Sequence, residues 1–197
     1  MASRYAPDID PESGCRLPLP QRDALPSEGQ AIYDRLASPG GGTLRGLRGP
    51  GGITLHSPEL SRRSRPLNHY LRYESGLSGR VRELAILVTA RSIESRFEWV
   101  AHEDEARREG VPDAAIDAVK DRRALADLDP ADATVIALGR EIFIARRVTP
   151  ETYASALARF GPRLLVDLVA PMGNYAATAA LLTAFDMQLD PGVVLPF

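Results

Sequence analysis

Leu77-Ser78-Gly79-Arg80-Val81-Arg82-Glu83-Leu84-Ala85-Ile86-Leu87-Val88-Thr89-Ala90 is the stretch on which the fold turns. Ser78 is a helix-capping residue, and Val81 to Ile93 is apolar on most faces. A helix that is apolar nearly all round is buried, so this segment is expected at the centre of the molecule. Glu83 breaks the pattern. It shares its face with Ile86, Leu87 and Ala90, where an unpaired carboxylate costs several kcal/mol. Two readings are open. Glu83 forms an ion pair with an arginine such as Arg80 or Arg91, or lies at the edge of the apolar stripe. Alternatively it is a buried acid of raised proton affinity that faces a cavity.

Punctuation on both sides of this segment predicts further helices. Upstream, Ser27-Glu28-Gly29-Gln30 has the form of a capping box and opens a short helix that ends at Pro39. Ser57-Pro58-Glu59 opens another, running to about Glu74 and stopping near Gly76. Downstream, a helix from about Phe97 to Glu109 stops at Gly110. Asp113 to Val119 forms a short helix. Asp129-Pro130 and Thr149-Pro150 start helices to about Arg147 and Phe160, and a last long helix runs to about Met187. No two-residue alternation is sustained, so the fold class is all-α, a bundle of about eight helices. Residues 1–25, with Pro7, Pro11, Pro18 and Pro20, read as an extended arm, and 26–197 as a single helical domain. The glycine-rich stretch from Pro39 to Gly52 has no strand before it and no helix evident after it. It reads as a surface loop rather than a phosphate cradle.

Composition narrows the function. The chain has 197 residues, 44% hydrophobic and 25% charged, with a net charge of -2. That balance gives no bulk attraction to nucleic acid or anionic lipid. The most apolar stretch, Leu164 to Phe185, is interrupted by Asp167, Pro171 and Asn174 and reads as a core helix rather than a membrane span. Met1 to Pro11 has no apolar core of a targeting signal. The one cysteine, Cys15, cannot form an internal disulfide or a redox pair. The expected compartment is the cytoplasm.

A second constellation lies on the next helix. Glu98 and His102 are four residues apart and share a face, beside Trp99 and the apolar Phe97, Val100 and Ala101. Ser95-x-x-Glu98 is itself a capping box, and His102 adjoins the acidic Glu103, Asp104 and Glu105, so a cap and a surface histidine are one reading. A catalytic pair is the other. Glu83, Glu98 and His102 are all potential metal ligands, but they lack the paired Glu-x-x-His spacing of di-iron bundles. No metal or other cofactor is expected.

Taken together, Leu77 to Leu87, Phe97-Glu98-Trp99-x-x-His102, Ala106 and Gly110 resemble the carboxymuconolactone decarboxylase family, which includes the alkylhydroperoxidase D-like proteins. The longer members are closest, on the strength of His56-Ser57-Pro58-Glu59-Leu60 and of a final helix carrying Tyr175. The resemblance implies an all-α fold, a small-molecule substrate, and a homo-oligomer (dimer, trimer or hexamer) with sites near subunit contacts. The peroxidase branch has Glu, eleven residues, Cys, two residues, Cys, three residues, His. Laid on this chain, the pattern falls on Glu83, Ser95, Glu98 and His102. With both cysteines replaced, the dithiol peroxidase route is excluded. What remains is cofactor-free acid-base chemistry, as lyase or isomerase, on a small carboxylated lactone or enolisable substrate. His102, Glu98 and Glu83 are its catalytic candidates. Ser95, Trp99, Arg80, Tyr175 and His69 are candidates for substrate binding, and Arg45, Arg48 and Arg82 join Arg80 as candidate carboxylate anchors. A non-catalytic ligand-binding or scaffold oligomer of the same fold is the alternative.

Overall fold

A computed structural model of the chain describes residues 5–38 and 44–197. Eight α-helices and no strand occur among them: α1 (Ser27–Ala37), α2 (Pro50–Thr54), α3 (Pro58–His69), α4 (Gly79–Ser92), α5 (Arg96–Arg108), α6 (Asp113–Lys120), α7 (Pro130–Arg140) and α8 (Pro150–Ala184). The fold is all-α, as the periodicity predicts. Two helices are prolonged by single π-helical turns, Tyr70–Glu74 after α3 and Glu141–Ala145 after α7. These turns carry the chain to the helix ends expected near Glu74 and Arg147. Within α8, Gly161 has φ 68° and ψ 170°. It breaks the helix in two at the expected Gly161-Pro162 stop, in a backbone region that glycine enters without a Cβ clash.

The chain forms two compact units. The first takes in the residues up to Leu67 together with Ala180–Val194. Its small core joins Ile32 and Leu36 of α1 to Leu55. The N-terminal segment belongs to this unit. Ile9, Ser13 and Cys15 are buried, and the Arg16 N–H donates to the Phe185 carbonyl at 2.8 Å. Two local expectations are corrected here. Ser27 is the first residue of α1 and not its cap; Pro26 holds the cap position, and no side chain closes it. The glycine-rich stretch ends in helix rather than loop. Pro50 opens α2, whose Gly52 and Ile53 are buried, because proline suits a first helical turn whatever glycines come after it. The Gly40-Gly41-Gly42 part of that loop lies outside the described residues.

The second unit, Asn68–Ala179 with Leu195–Phe197, holds the main core. α4 is its centre, packed against α5, α6 and α7, with Leu84, Ala85, Ile86, Leu87, Val88 and Ala90 all buried. Leu165, Leu168 and Met172 of α8 join the same core. The Ser78 hydroxyl caps α4 by accepting from the Val81 N–H, and the Asp129 carboxylate caps α7 by accepting from the Ala131 N–H at 2.8 Å. One close approach depends on glycine. A Cβ on Gly139 of α7 would stand 2.5 Å from the Val88 Cγ1 of α4, so the absent side chain lets these helices meet.

Candidate active site

All of the site's side chains belong to the second unit. Glu83 projects from the buried α4, Glu98 and His102 from α5, Tyr175 from α8, and Arg72 from the π-helical turn after α3. The two anomalies of the sequence meet. Glu83 is fully buried, and Glu98 and His102 are 4% and 3% exposed. The carboxylate Oε2 of Glu83 lies 2.7 Å from His102 Nδ1. On the other side of the ring, His102 Nε2 is 3.6 Å from Glu98 Oε2. The imidazole is therefore flanked by two carboxyl groups. The Tyr175 ring stands edge-on to it, with centroids 5.0 Å apart and planes at 87°.

Glu83 does form an ion pair, and its partner is Arg82. Arg82 Nε donates to Glu83 Oε1 at 3.0 Å. The remainder of that guanidinium ties down two other elements: Nη1 donates to the Arg72 carbonyl at 2.7 Å and Nη2 to Glu109 Oε1 at 3.1 Å. Gly79 makes room for the Glu109 carboxyl, which would lie 1.7 Å from a Cβ at that position.

The electrostatics divide the two acids. Burial alone would raise the Glu83 carboxyl. The hydrogen bond and charge of His102, with help from Arg82 and Arg72, outweigh burial and hold it below the ordinary glutamate range. The expected raised proton affinity at Glu83 is therefore corrected, because its two oxygens each accept a hydrogen bond, one from Arg82 and one from His102. The raised acid is Glu98. Burial pushes its carboxyl up, the Glu83 charge adds to this, and His102 and Arg72 oppose it. Burial also raises the Tyr175 phenol, keeping it neutral.

A charged Glu83 accepts the Nδ1 proton and fixes the tautomer, leaving Nε2 as the working nitrogen. Nε2 faces an acid that resists ionisation. One proton can then pass between Glu98 and His102 while Glu83 holds the ring and compensates its charge. Such a pair can deliver a proton to carbon or remove one from it. With Nδ1 engaged, Nε2 is the base left at the centre, and the Glu98 carboxyl is the group that can give it a proton. Among the described residues no three His, Cys, Asp or Glu side chains are grouped to hold a metal ion.

The structural readings of α5 give way to this geometry. Ser95 occupies the cap position, but its hydroxyl makes no cap bond, so the Ser95-x-x-Glu98 box does not form. His102 is buried rather than part of the acidic surface. The other candidates scatter. Ser95 is buried one helical turn before Glu98. Trp99 sits in the core, donates to Glu103 at 2.8 Å and meets Phe197 edge-on. Arg80 forms a two-pronged pair with Asp132, at 3.2 and 2.6 Å. Arg91, the other suggested partner of Glu83, bonds Glu94 and the Lys120 carbonyl. His69 is exposed and pairs with Glu74. Arg45 and Arg48 lie in the first unit and pair there with Asp190. Sequence reasoning missed Arg72, whose exposed neighbours Tyr73 and Glu74 give no helical stripe to mark it. A cavity of about 300 Å³ in the second unit is lined by Arg122, Arg140, Glu141, Ile144 and Ala145; none of these belongs to the carboxyl–imidazole cluster.

Residues 58–141 match the model of the carboxymuconolactone decarboxylase family. This segment is similar to that family. The match runs from the start of α3 to the end of α7 and contains Glu83, Ser95, Glu98 and His102. The all-helical architecture agrees with the carboxymuconolactone decarboxylase-like and alkylhydroperoxidase D-like fold. The matched segment ends before α8, so Tyr175 is supplied from outside the matched residues. Searches among curated proteins and among solved structures find no match.

Proposed function

We propose that the protein is a cofactor-free lyase or isomerase that moves a proton between Glu98, His102 and a substrate carbon. The observation that carries this reading is the placement of His102 Nε2 3.6 Å from a buried Glu98 whose carboxyl is pushed upward, while Nδ1 is held at 2.7 Å by an ionised Glu83. The substrate class is a small acid in which a carbonyl, directly or through C=C, can accept an electron pair. In decarboxylation the C–C bond to the carboxylate breaks, CO2 leaves, and the electron pair delocalises to the carbonyl oxygen. The pair returns to carbon as that atom takes the proton from His102 or Glu98. Isomerisation uses the same proton transfers without loss of CO2.

The test is exchange. The protein is incubated in D2O with a panel of unsaturated lactone acids and β-keto acids, and deuterium at carbon and released CO2 are followed by NMR. Removing a positioned acid-base group costs about 10²–10⁴-fold in rate, so Glu98→Gln and His102→Ala should each lose that much. Exchange that survives both substitutions rejects the reading. Binding without exchange, unaffected by His102→Ala, supports a ligand-binding oligomer of the same fold instead.

A homo-oligomer is part of the proposal. Val166, Val169 and Gly173 share one exposed face of α8, and nothing stands within 4 Å of a Cβ built at Gly173. A second copy of the chain would cover that face. Light scattering at several concentrations should give a dimer or larger that Val169→Asp dissociates; a monomer throughout rejects the contact.

A further inference from the structure

We infer that Arg72 is the anchor for the substrate's carboxylate, with the Tyr175 hydroxyl occupying the anion's place when the site is empty. This deepens the proposed acid-base function and rests on it for the role of the bound anion.

Four observations converge on Arg72. Its Nε is buried and has no hydrogen-bond partner, and it is the one such side-chain atom among the described residues. Burying a guanidinium N–H without an acceptor is costly, and native structures rarely leave one so. Second, Nη1 reaches only the Tyr175 hydroxyl, at a long 3.4 Å. Glu83 and Glu105 act on Arg72 through charge alone, with no hydrogen bond between them. The guanidinium fork, which matches a carboxylate with two parallel bonds, is thus largely unspent. Third, Tyr175 touches both ends of the arrangement: its hydroxyl meets Arg72, and its ring stands against His102. An anion taken up by Arg72 in place of that hydroxyl lies about one aromatic ring from the imidazole. Fourth, Arg72 sits on the rim. Its neighbours Tyr73 and Glu74 are exposed and Leu71 is buried, and its guanidinium carbon lies 5.6 Å from the centre of the exposed Tyr73 ring.

Placement is also built in. The π-helical turn Tyr70–Glu74 is closed by the Ser75 N–H donating to the Tyr70 carbonyl at 2.9 Å, and such turns recur at functional sites. Arg82, which grips Glu83, also grips the Arg72 carbonyl. One side chain thereby sets both the carboxylate that orients His102 and the backbone that presents the anchor.

The experiment titrates the full chain with crotonate and benzoate, and with the neutral amides of both, by calorimetry. Arg72→Met should weaken carboxylate binding about tenfold to hundredfold, as expected for losing hydrogen bonds to a charged group, and leave amide binding unchanged. Arg72→Lys, which keeps the charge without the fork, should fall between. Tyr175→Phe removes the competing hydroxyl and should tighten carboxylate binding, a gain that a damaged fold cannot imitate. Equal carboxylate affinity in wild type and Arg72→Met, no carboxylate binding to wild type, or a loss with Tyr175→Phe overturns the assignment. None of these results touches the exchange measured with Glu98→Gln, so the anchor and the acid-base reading fail separately.

Discussion

Glu83→Gln changes no shape and should still be among the most damaging substitutions in the molecule. Two donors converge on the Glu83 carboxylate, Arg82 Nε on Oε1 and His102 Nδ1 on Oε2. A glutamine has one acceptor oxygen, so one of the two donors must then face an NH2 group. Arg82 would keep Glu109 and the Arg72 carbonyl; His102 Nδ1 would keep nothing if the amide oxygen turned to Arg82. A hydrogen bond to a charged group is worth about 1.5–3 kcal/mol, and breaking a buried ion pair by removing one partner costs about 3–5 kcal/mol. Because glutamine preserves one of the two bonds, the loss should fall at about 2–4 kcal/mol. Urea unfolding at neutral pH measures it as a lower midpoint at unchanged slope. In a chain of this size it corresponds to a melting point lower by roughly 4–16 °C. The pH dependence adds a second check. The folded state holds Glu83 below the ordinary range, so its contribution is fully present above the unfolded value and is lost as pH falls through the folded one. The gap between wild type and Glu83→Gln should therefore close in acid. A loss under about 0.5 kcal/mol at neutral pH, within the range of an ordinary surface change, would refute the claim that one carboxylate serves both donors.

Other expectations rest on the same contacts. Glu98→Gln should stabilise the protein at neutral pH while it removes exchange. A raised folded value means the unfolded chain ionises more readily, so wild-type stability declines as pH climbs past the ordinary glutamate value, and the gain should vanish in acid. Gly139→Ala should cost about 1–3 kcal/mol by thermal or urea unfolding, because its Cβ would meet the stiff, buried Val88. Arg80→Met should destabilise by about 1–3 kcal/mol, less than a fully buried pair, since it strands the buried Asp132 but leaves Arg80's half-exposed side water-accessible. Carboxylate binding should not change in that variant.

Much of this architecture was legible in the sequence because its signals are local. The apolar run of Val81 to Ile93 does mark the central helix. Ser78 and Asp129 do cap α4 and α7, and Gly161-Pro162 does end a helix. Glu83 could be selected because it carries charge on an apolar helix face, and Glu98 and His102 because four-residue spacing puts them on one face of the next helix. The remainder depends on tertiary neighbours that spacing does not encode. Which arginine takes Glu83 was open among several, and the answer, Arg82, is the residue beside it in sequence. The sign of each acid's shift depends on how many donors reach each oxygen. α2 escaped because glycine-rich composition concealed a proline-started turn. Arg72 escaped because a π-helical turn departs from the period by which helix faces are read.

That turn also makes chain length a determinant of the site. A π-helical turn holds one more residue than the α-helical turn it replaces. Deleting a single residue between Tyr70 and Glu74 would let α3 continue in regular α-helical phase. The turn would still close about one revolution, but each residue left in it would take the larger angular step of an α-helix, about 100°. Arg72, inside that turn, would change direction with no side chain substituted. A point-mutation scan of this segment would therefore understate its importance, whereas one codon removed from the turn would redirect the guanidinium in a single step.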